Sequence, residues 1–401
     1  MHIYTMQRPE MGTIEYRDHK RYLWILSVLL PLFPLVGIYC YVQTAAPWTL
    51  GVPLLFAYVV IPLLDWLLGE DPNNPPEEIV PQLEEDRYYR WLTWITVPLH
   101  FITLIVVAWF AATQDLAAGS VLLLAITAGL FSGLAVNTAH EMGHKKTPTE
   151  RILSRFALAV PAYGHFCVEH NRGHHRHVAT PDDPASARMG ESIYHFALRE
   201  IPGGFSRGWN NEAERLEREG INRWSAQNEI LQSYAISVVL QGTLLATLGW
   251  IMLPFLAIHN VCAWFQLTSA NYIEHYGLLR ASNPDGSFER CLPHHSWNAN
   301  YVFSNVVLFQ LERHSDHHAN SSRRYQSLRN FDGIPQLPNG YFGMYLLAYV
   351  PWLWYRVMDQ RLLALPHIRG DLSKVNIQAA KRADIFARFG AGRNNHSKPF
   401  L

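Results

Sequence analysis

Residues 22–68 read YLWILSVLLPLFPLVGIYCYVQTAAPWTLGVPLLFAYVVIPLLDWLL and contain no lysine or arginine. The polar segment QTAAP, at 43–47, divides this stretch into two apolar runs. A helix that crosses a bilayer needs about 20 mostly apolar residues. We therefore predict two transmembrane helices, over about 22–42 and 48–68, joined by a short polar turn.

Two further stretches, 91–144 and 224–279, also lack lysine and arginine. Each again contains a pair of apolar runs, so the sequence predicts four more spans, over about 91–113, 119–139, 231–253 and 255–276. Buried helices of a large soluble protein are the alternative. That alternative does not explain why the turns within each pair lack positive charge. The fold class that follows is an all-α membrane protein with six transmembrane helices.

The positions of the basic residues predict the orientation. Cytosolic loops of membrane proteins are enriched in lysine and arginine. If the spans form three hairpins, the flanking basic residues all fall on one side. We therefore predict a cytosolic tail (1–21), four spans (22–139), a cytosolic segment (140–230), two spans (231–276) and a cytosolic C-terminal part (277–401). Residues 340–357, interrupted by Pro351, are predicted as an interfacial or core helix and not as a seventh span.

The composition excludes several classes of protein. Lysine plus arginine equals aspartate plus glutamate at 33 each, and a nucleic-acid binder would carry a basic excess. Hydrophobic residues make up 49% of the chain, which excludes disorder as its main state. The four cysteines form no CxxC pair, so the sequence does not encode a rubredoxin-like iron site or a zinc ribbon of its own.

Nine of the 20 histidines lie at four places, all predicted on the cytosolic side. The clusters are HEMGH at 140–144, EHNRGHH at 169–175, His275 within NYIEHYG, and HSDHH at 314–318. Residues four apart share a helix face, so we expect His140 with His144, and His170 with His174, to point the same way. Nine imidazoles could therefore converge: His140, His144, His170, His174, His175, His275, His314, His317 and His318.

Such a set is typical of a transition-metal site. Neutral imidazole binds first-row metals including iron, and nine histidines suit two ions with four or five ligands each. Carboxylates that hydrogen-bond the second ring nitrogen would orient the ligands. Several carboxylates near the clusters could play that role, Glu169 and Asp183 among them. The candidates selected are Glu141, Asp182, Glu274 and Asp316. His294 and His295 lie near the clusters and are assigned supporting or loop roles, and His367 is assigned none.

Two other functions compete for the same motifs. HEMGH also fits the HExxH pattern of zinc metalloproteases, in which the glutamate acts as general base. That interpretation leaves the other three clusters unexplained. A metal-handling membrane protein without catalysis would be expected to carry ionisable residues deep within its spans, whereas these histidines lie at span ends.

The strings NTAHEMGHK, EHNRGHHRHVATPDDPASAR, NYIEHYGL and LERHSDHHA resemble the four signatures of the bacterial membrane alkane 1-monooxygenases. These enzymes belong to the wider group of membrane desaturases and hydroxylases with histidine boxes. The resemblance extends from about Tyr22 to Gly340. One departure is Glu312, where the family usually has glutamine.

The resemblance implies two non-haem iron ions, held by the nine histidines, in the bacterial inner membrane with the active site on the cytosolic side. It implies hydroxylation of the terminal methyl of medium-chain n-alkanes with O2. Electrons would come from rubredoxin, itself reduced by a rubredoxin reductase. Related alternatives are a fatty-acyl desaturase or hydroxylase and an aromatic-methyl monooxygenase.

An alkane substrate and a separate electron donor each require a binding surface. Alkanes bind through apolar area alone, so bulky residues on the spans are candidates to line a channel, namely Trp24, Phe56, Tyr58 and Trp264. Rubredoxins are usually acidic, so basic residues that flank the histidines are candidates to dock one. These are Lys145, Lys146, Arg323, Arg324 and Arg329.

Overall fold

The computed structural model describes residues 2–8 and 12–390. The first described element is an antiparallel hairpin of strands β1 (His2–Arg8) and β2 (Gly12–Asp18), in which His2 pairs with Asp18. Tyr4 anchors the hairpin, because its buried hydroxyl donates to Asp86 at 2.8 Å, beside the start of a long helix. The all-α prediction therefore missed this hairpin.

The rest of the described chain is helices and irregular connections, with no strand longer than an isolated bridge. Its helices are α1 (Ile25–Thr44), α2 (Pro47–Leu68), α3 (Val80–Glu85), α4 (Arg87–Thr113), α5 (Ala118–Gly143), α6 (Pro148–Ala159), α7 (166–177), α8 (Ile193–Arg218), α9 (Glu229–Leu248), α10 (Met252–His275), α11 (Val302–Val307), α12 (His314–Ala319), α13 (Tyr341–Ala348), α14 (Pro351–Ala364) and α15 (Arg382–Phe389).

Five of the described helices, α1, α2, α4, α5 and α9, are long and apolar enough to cross a membrane. They match the first five predicted spans. The sixth predicted span forms as α10, but its sequence is more polar. Most of α10 is buried, and its polar side chains His259, Asn260, Gln266 and Asn271 face protein and not lipid. A helix enclosed by other helices does not need the apolar surface that lipid demands.

Exposed tryptophans mark both ends of the helical bundle. Trp48 and Trp250 lie where α2 and α10 begin, and Trp66 and Trp91 lie at the opposite end, where α2 ends and α4 begins. All four indoles are more than half exposed. Tryptophan concentrates at membrane–water interfaces because its ring is amphipathic. The two belts therefore fit the two surfaces of a bilayer.

Residues 340–357 do not form one continuous helix. The chain breaks between α13 and α14, where proline begins the second helix. Four large residues of α13 are buried in the main core, including Tyr341 and Tyr345. The single interfacial or core helix predicted here is thus two helices, both of which contribute to the core, and neither is among the described helices long and apolar enough to cross a membrane.

Helices α5 and α10 pack closely along their length, and each carries predicted ligands at its end. The close approach depends on Gly129 and Gly133 of α5. A methyl group added at Gly133 would lie 2.5 Å from the carbonyl oxygen of Ala263 and 2.6 Å from Cβ of Gln266. Small residues four apart allow this kind of approach between helices in membranes.

Gly133→Ala should therefore force α5 and α10 apart and lower both folding yield and metal content. We expect a loss of about 1–3 kcal/mol, as for overpacking in other cores, measured as a lower Tm in detergent. Gly242→Ala, in the middle of α9 where nothing lies within 4 Å, is the matched control and should be neutral or slightly stabilising. Equal Tm values for the two variants would contradict the packing argument.

Candidate metal centre

The nine predicted histidines come together at one end of the bundle in two adjacent groups. The ligand atoms within each group all lie within 4.8 Å of one another. The first group, called the five-histidine group, contains His140, His144, His170, His175 and His317. The second, called the four-histidine group, contains His174, His275, His314 and His318. The sequence predicted the set but not this division.

The division depends on an unusual turn in α7. Residues His170–His174 form a π-helix, in which the backbone bonds run to the fifth residue and not the fourth. His170 therefore faces His175, with 3.0 Å between their Nε2 atoms, and His174 points to the other group. The expectation that His170 and His174 share a face was wrong because it assumed α-helical spacing.

Helix α12 divides its three histidines in the same manner with ordinary α-helical geometry. His314 and His318, four residues apart, have Nε2 atoms 2.9 Å from each other. His317 crosses to the five-histidine group, where its Nε2 lies 3.2 Å from that of His175. His275, at the end of α10, completes the four-histidine group, with Nε2 at 3.3 Å from His314.

These nitrogen–nitrogen contacts fit metal ligands. Two nitrogens bound at a right angle to one ion, each at about 2.1 Å, are about 3.0 Å apart. The Nε2 atoms of His140, His144 and His174 are buried and have no hydrogen-bond partner. Buried polar atoms without partners are costly, and a bound cation would satisfy them. The residues present therefore fit a pair of transition-metal ions.

The electrostatic state of the imidazoles also suits metal binding. Burial, reinforced by neighbouring imidazoles, holds the pKa values of five of these histidines well below their usual range, namely His144, His170, His175, His317 and His318. At neutral pH these rings are therefore uncharged, which is the form that donates a lone pair to a metal.

One carboxylate supports the four-histidine group directly, but it is not the one selected from the sequence. Asp183 Oδ2 lies 2.9 Å from Nδ1 of His174, and both side chains are fully buried. Burial alone would raise the pKa of Asp183, but His174 and Arg207 hold it well below the usual value. The neighbouring Asp182 is exposed. The candidate Asp182 is therefore replaced by Asp183.

The other three candidate carboxylates are all buried and occupy different positions. Glu274 Oε2 lies 3.3 Å from Nε2 of His314, so it borders the four-histidine group. Asp316 accepts from the backbone N–H of Arg329 at 2.9 Å and supports the loop after α12. Glu141 forms an ion pair with Lys145 at 3.0 Å and accepts from the Tyr325 backbone. Its carboxylate is thus held by a cation and the main chain, unlike the free general base of a zinc protease.

Sequence reasoning assigned no role to Arg207, which lies on α8 in the polar stretch between the fourth and fifth predicted spans. Its guanidinium donates to Glu169 at 2.9 Å and to Asp183 at 2.7 Å, so α8 holds the carboxylate that orients His174. Gly208, four residues after Gly204 on the same face of α8, lets the helix approach Glu169 closely. Nothing in the local sequence distinguishes Arg207 from the other arginines of that helix.

The four candidate channel residues lie in different surroundings. Trp24 packs edge-on against Tyr325 in a cluster at the histidine end of the bundle. Trp264 donates to the Pro161 carbonyl at 2.8 Å. Phe56 stacks on Phe33 at 4.5 Å, between the spans. Tyr58, like Phe56, belongs to a second π-helical turn, Phe56–Val60, and its hydroxyl donates to Gln266.

Most of the candidate docking residues already have partners within the chain. Lys145 is buried and holds Glu141, and Arg324 is buried and pairs with Glu150 at 2.6 Å. Arg323 and Arg329 both bind Glu77. Their charges therefore stabilise the loops around the histidines. Of the five, only Lys146 is exposed and forms no ion pair with the described residues.

Glu312, the departure from the usual family sequence, is fully buried. Its carboxylate accepts from the backbone N–H groups of Tyr341 at 2.6 Å and Tyr301 at 3.1 Å. Burial raises the pKa of Glu312 well above its usual value. The substitution therefore joins two segments of the core and does not alter the protein surface.

Asp183→Asn should weaken metal binding by the four-histidine group. The amide keeps the shape but loses the charge that orients His174, and losing such a partner typically costs about 10- to 100-fold in metal affinity. Iron retained against a competing chelator measures the effect. Asp182→Asn makes the same change one residue away at the surface and should retain iron as the wild type does. Equal losses from the two variants would refute the assignment.

Comparisons with known proteins agree with this geometry. The long apolar helices and the histidine groups at their ends are those of a helical membrane protein of the fatty acid desaturase group, and the family model described as Fatty acid desaturase matches residues 118–361. Alkane 1-monooxygenase 1 of Alcanivorax borkumensis is 52% identical over 94% of this chain and 92% of its own length. Alkane 1-monooxygenase of Ectopseudomonas oleovorans is 52% identical over 96% of this chain and 95% of its own.

The chain therefore belongs to the alkane 1-monooxygenase family. A more distant relative is the xylene/toluene monooxygenase hydroxylase component XylM of Pseudomonas putida. It is 28% identical over 63% of this chain and 64% of its own length.

Proposed function

We propose that this protein is a di-iron enzyme that hydroxylates the terminal methyl of medium-chain n-alkanes, with O2 as oxidant and rubredoxin as electron donor. The observation that supports this most strongly is the division of nine buried histidines into groups of five and four. One oxygen atom of O2 enters the alcohol. The other leaves as water, with two electrons from the donor and two protons.

Each histidine group would hold one iron ion. The bound iron would supply the ability to reduce and activate dioxygen, which organic side chains lack. The chain's own contribution is to fix the ligands before the metal arrives. Asp183 orients His174, and the π-helical turn aims His170 and His175 at one ion and His174 at the other.

The proposed setting is the bacterial inner membrane, with α10 as a sixth span and the histidine groups at the cytosolic surface. Helix α10 has 24 residues, which is enough to cross the hydrocarbon core. Together with the five long apolar helices it would make six spans. The basic residues that flank the spans lie at the same end as the histidines, as the positive-inside rule requires of a cytosolic surface.

The substrate would be held between the spans by apolar contact alone. Each methylene removed from water contributes roughly 0.8 kcal/mol. Phe33 stacks on both Phe56 and Phe131, which places an aromatic layer between α1, α2 and α5. We propose this layer as the inner wall of an alkane channel, with Tyr58 beside it. Trp24 and Trp264, which pack elsewhere, are less suited to that role.

The electron donor would dock beside the five-histidine group. A cavity of about 370 Å³ opens there, and basic side chains including Lys146, Arg151 and Arg172 line it. Two other lining residues, Gly143 and Asn171, each adjoin a ligand histidine in the chain. An acidic carrier bound at this cavity would lie close to the ligands, and its affinity should fall as salt rises.

The similarity to XylM favours a methyl group on an aromatic ring as the second candidate substrate. Both substrates offer an unactivated methyl to the same site, so only the products distinguish them. The zinc protease alternative fits less well, because Glu141 is engaged by Lys145 and three further histidines join His140 and His144.

Reconstitution tests the proposal. Purified protein with about two irons per chain is combined with rubredoxin, its reductase, NADH and ¹⁸O2, and is offered octane or toluene in parallel. We expect 1-octanol carrying one ¹⁸O atom, formed faster than benzyl alcohol. Faster formation of benzyl alcohol would instead indicate that the preferred substrate is a methyl group on an aromatic ring. No labelled product from iron-loaded protein, or one zinc in place of iron, would overturn it.

A further inference from the structure

A separate group of metal-binding side chains lies outside the nine histidines. Glu289, His294 and His295 offer ligand atoms within 4.8 Å of one another. They line a surface cavity of about 330 Å³ together with His367, whose ring centroid is 4.8 Å from that of His294. The loop between α10 and α11 supplies the first three residues, and the segment after α14 supplies His367.

The hydrogen bonds identify which of these atoms are free to bind. His295 Nδ1 accepts the backbone N–H of Leu292 at 3.0 Å, so its neutral ring carries the proton on Nε2. That Nε2–H points at Glu289 Oε1, at 3.2 Å. Glu289 Oε1 also accepts from the backbone of Ala281 at 2.8 Å. His295 is thus an anchor that orients the glutamate, and Glu289 Oε2 is left to face a ligand.

The rings of His294 and His367 supply the other two donors. Both rings are half-buried and line the same cavity. The two cations of the lining are held by main-chain carbonyls: Lys374 donates to that of His367 at 3.1 Å, and Arg280 donates to three others.

We propose that Glu289, His294 and His367 form a third metal site, for a divalent transition ion of the zinc or cobalt type. Two imidazoles and one carboxylate, with an open position, are a typical ligand set for such ions. His295 is the positioning residue that holds the carboxylate, as the partners of metal ligands commonly do. The site does not depend on the assignment of the nine histidines to iron.

The third site would add a link between two segments that also meet at an isolated bridge between Leu278 and Val375. Residues 281–287 are all exposed, so this loop has little core of its own. The same chain continues to Trp297, whose backbone N–H donates to the Glu274 carbonyl at 2.8 Å and whose indole donates to the Tyr276 carbonyl at 2.9 Å. A metal that fixes the loop would therefore also restrain the main chain on both sides of His275.

Cobalt binding tests the proposal directly. Iron-loaded wild-type protein in detergent is titrated with Co²⁺, and bound cobalt, retained iron and the visible spectrum are measured. We expect one additional Co²⁺ per chain, with the d–d bands of a low-coordinate ion. His294→Ala and His367→Ala should each weaken this binding at least about tenfold while the iron content is unchanged. His195→Ala, which removes an exposed isolated histidine, is the matched control.

Proteolysis gives a second measurement that does not depend on the variants folding equally well. Trypsin can cut after Arg290, which is exposed beside Glu289. Zn²⁺ should slow that cut in the wild type and in His195→Ala, but not in His294→Ala. Equal cobalt uptake by the wild type and both cavity variants, or a cleavage rate that Zn²⁺ does not change, would overturn the third site.

Discussion

His314→Ala should lower the iron content from about two ions per chain to about one and reduce alkane turnover by more than about 100-fold. His314 belongs to the four-histidine group, and its loss leaves only three imidazoles there. The five-histidine group keeps all of its members. Under the proposed di-iron function each group holds one ion and the reaction needs both, so the expected loss of activity exceeds the expected loss of metal.

Iron analysis and turnover of the same preparation check this prediction. His317→Ala, three residues along the same helix, is the informative comparison, since His317 belongs to the other group. This variant should also lose about one iron, but from the five-histidine group. The iron that remains would be bound by the four-histidine group, so its spectrum should differ from that of the iron remaining in His314→Ala. If either substitution removed both irons, the two groups would not be independent sites. His195→Ala should change neither quantity.

Arg313→Lys should destabilise the protein by about 3 kcal/mol or more and impair metal loading, although it keeps the charge. Arg313 immediately precedes His314 and is completely buried. All five of its N–H donors have acceptors within 3.0 Å. The acceptors are Asp71, the main chain of Asn73, and Asn74, Asn300 and the main chain of Leu328. Lysine has three donors and no planar fork, so it would leave several acceptors unpaired.

Thermal unfolding in detergent, followed together with iron content, measures that loss. The control is Arg361→Lys, the same exchange at an exposed position of α14, which should leave the Tm within experimental error. Because Asp71 also binds Lys20, the negative charge stays partly neutralised, and a folded but metal-poor protein is the expected product. An unchanged Tm in Arg313→Lys would show that the network around Arg313 contributes little.

The membrane helices and the ligand set followed from sequence because their signals are local. Apolar length predicts a span regardless of its neighbours, and histidine clusters at span ends predict a shared site. Helix α10 shows the limit of the first rule. Buried polar residues lower the hydropathy of this helix although its length is that of a membrane span. Tertiary contacts accommodate them, as where Asn260 exchanges two hydrogen bonds with Gln241.

The features that sequence could not predict depend on distant contacts or on helix geometry. Asp182 and Asp183 are adjacent and chemically identical, and only the fold places one of them against His174. In the sequence, Arg207 looks the same as arginines that face solvent. Its role depends on the packing of α8 against the segment that carries Glu169 and Asp183. The N-terminal hairpin depends on Tyr4 reaching Asp86, more than eighty residues away.

The π-helical turn of α7 has a consequence for how the two longer histidine boxes are compared. HNRGHH has one residue more than HSDHH, yet in both the outer histidines share a group and the middle one crosses over. The wider π-helical turn accommodates the additional residue. Both boxes therefore direct their outer two histidines to one group and the middle histidine to the other. The group that each histidine joins is thus set by the direction in which it points around the helix axis. A one-residue deletion within 171–173 that restored an α-helical turn would therefore leave each histidine of this box in its present group.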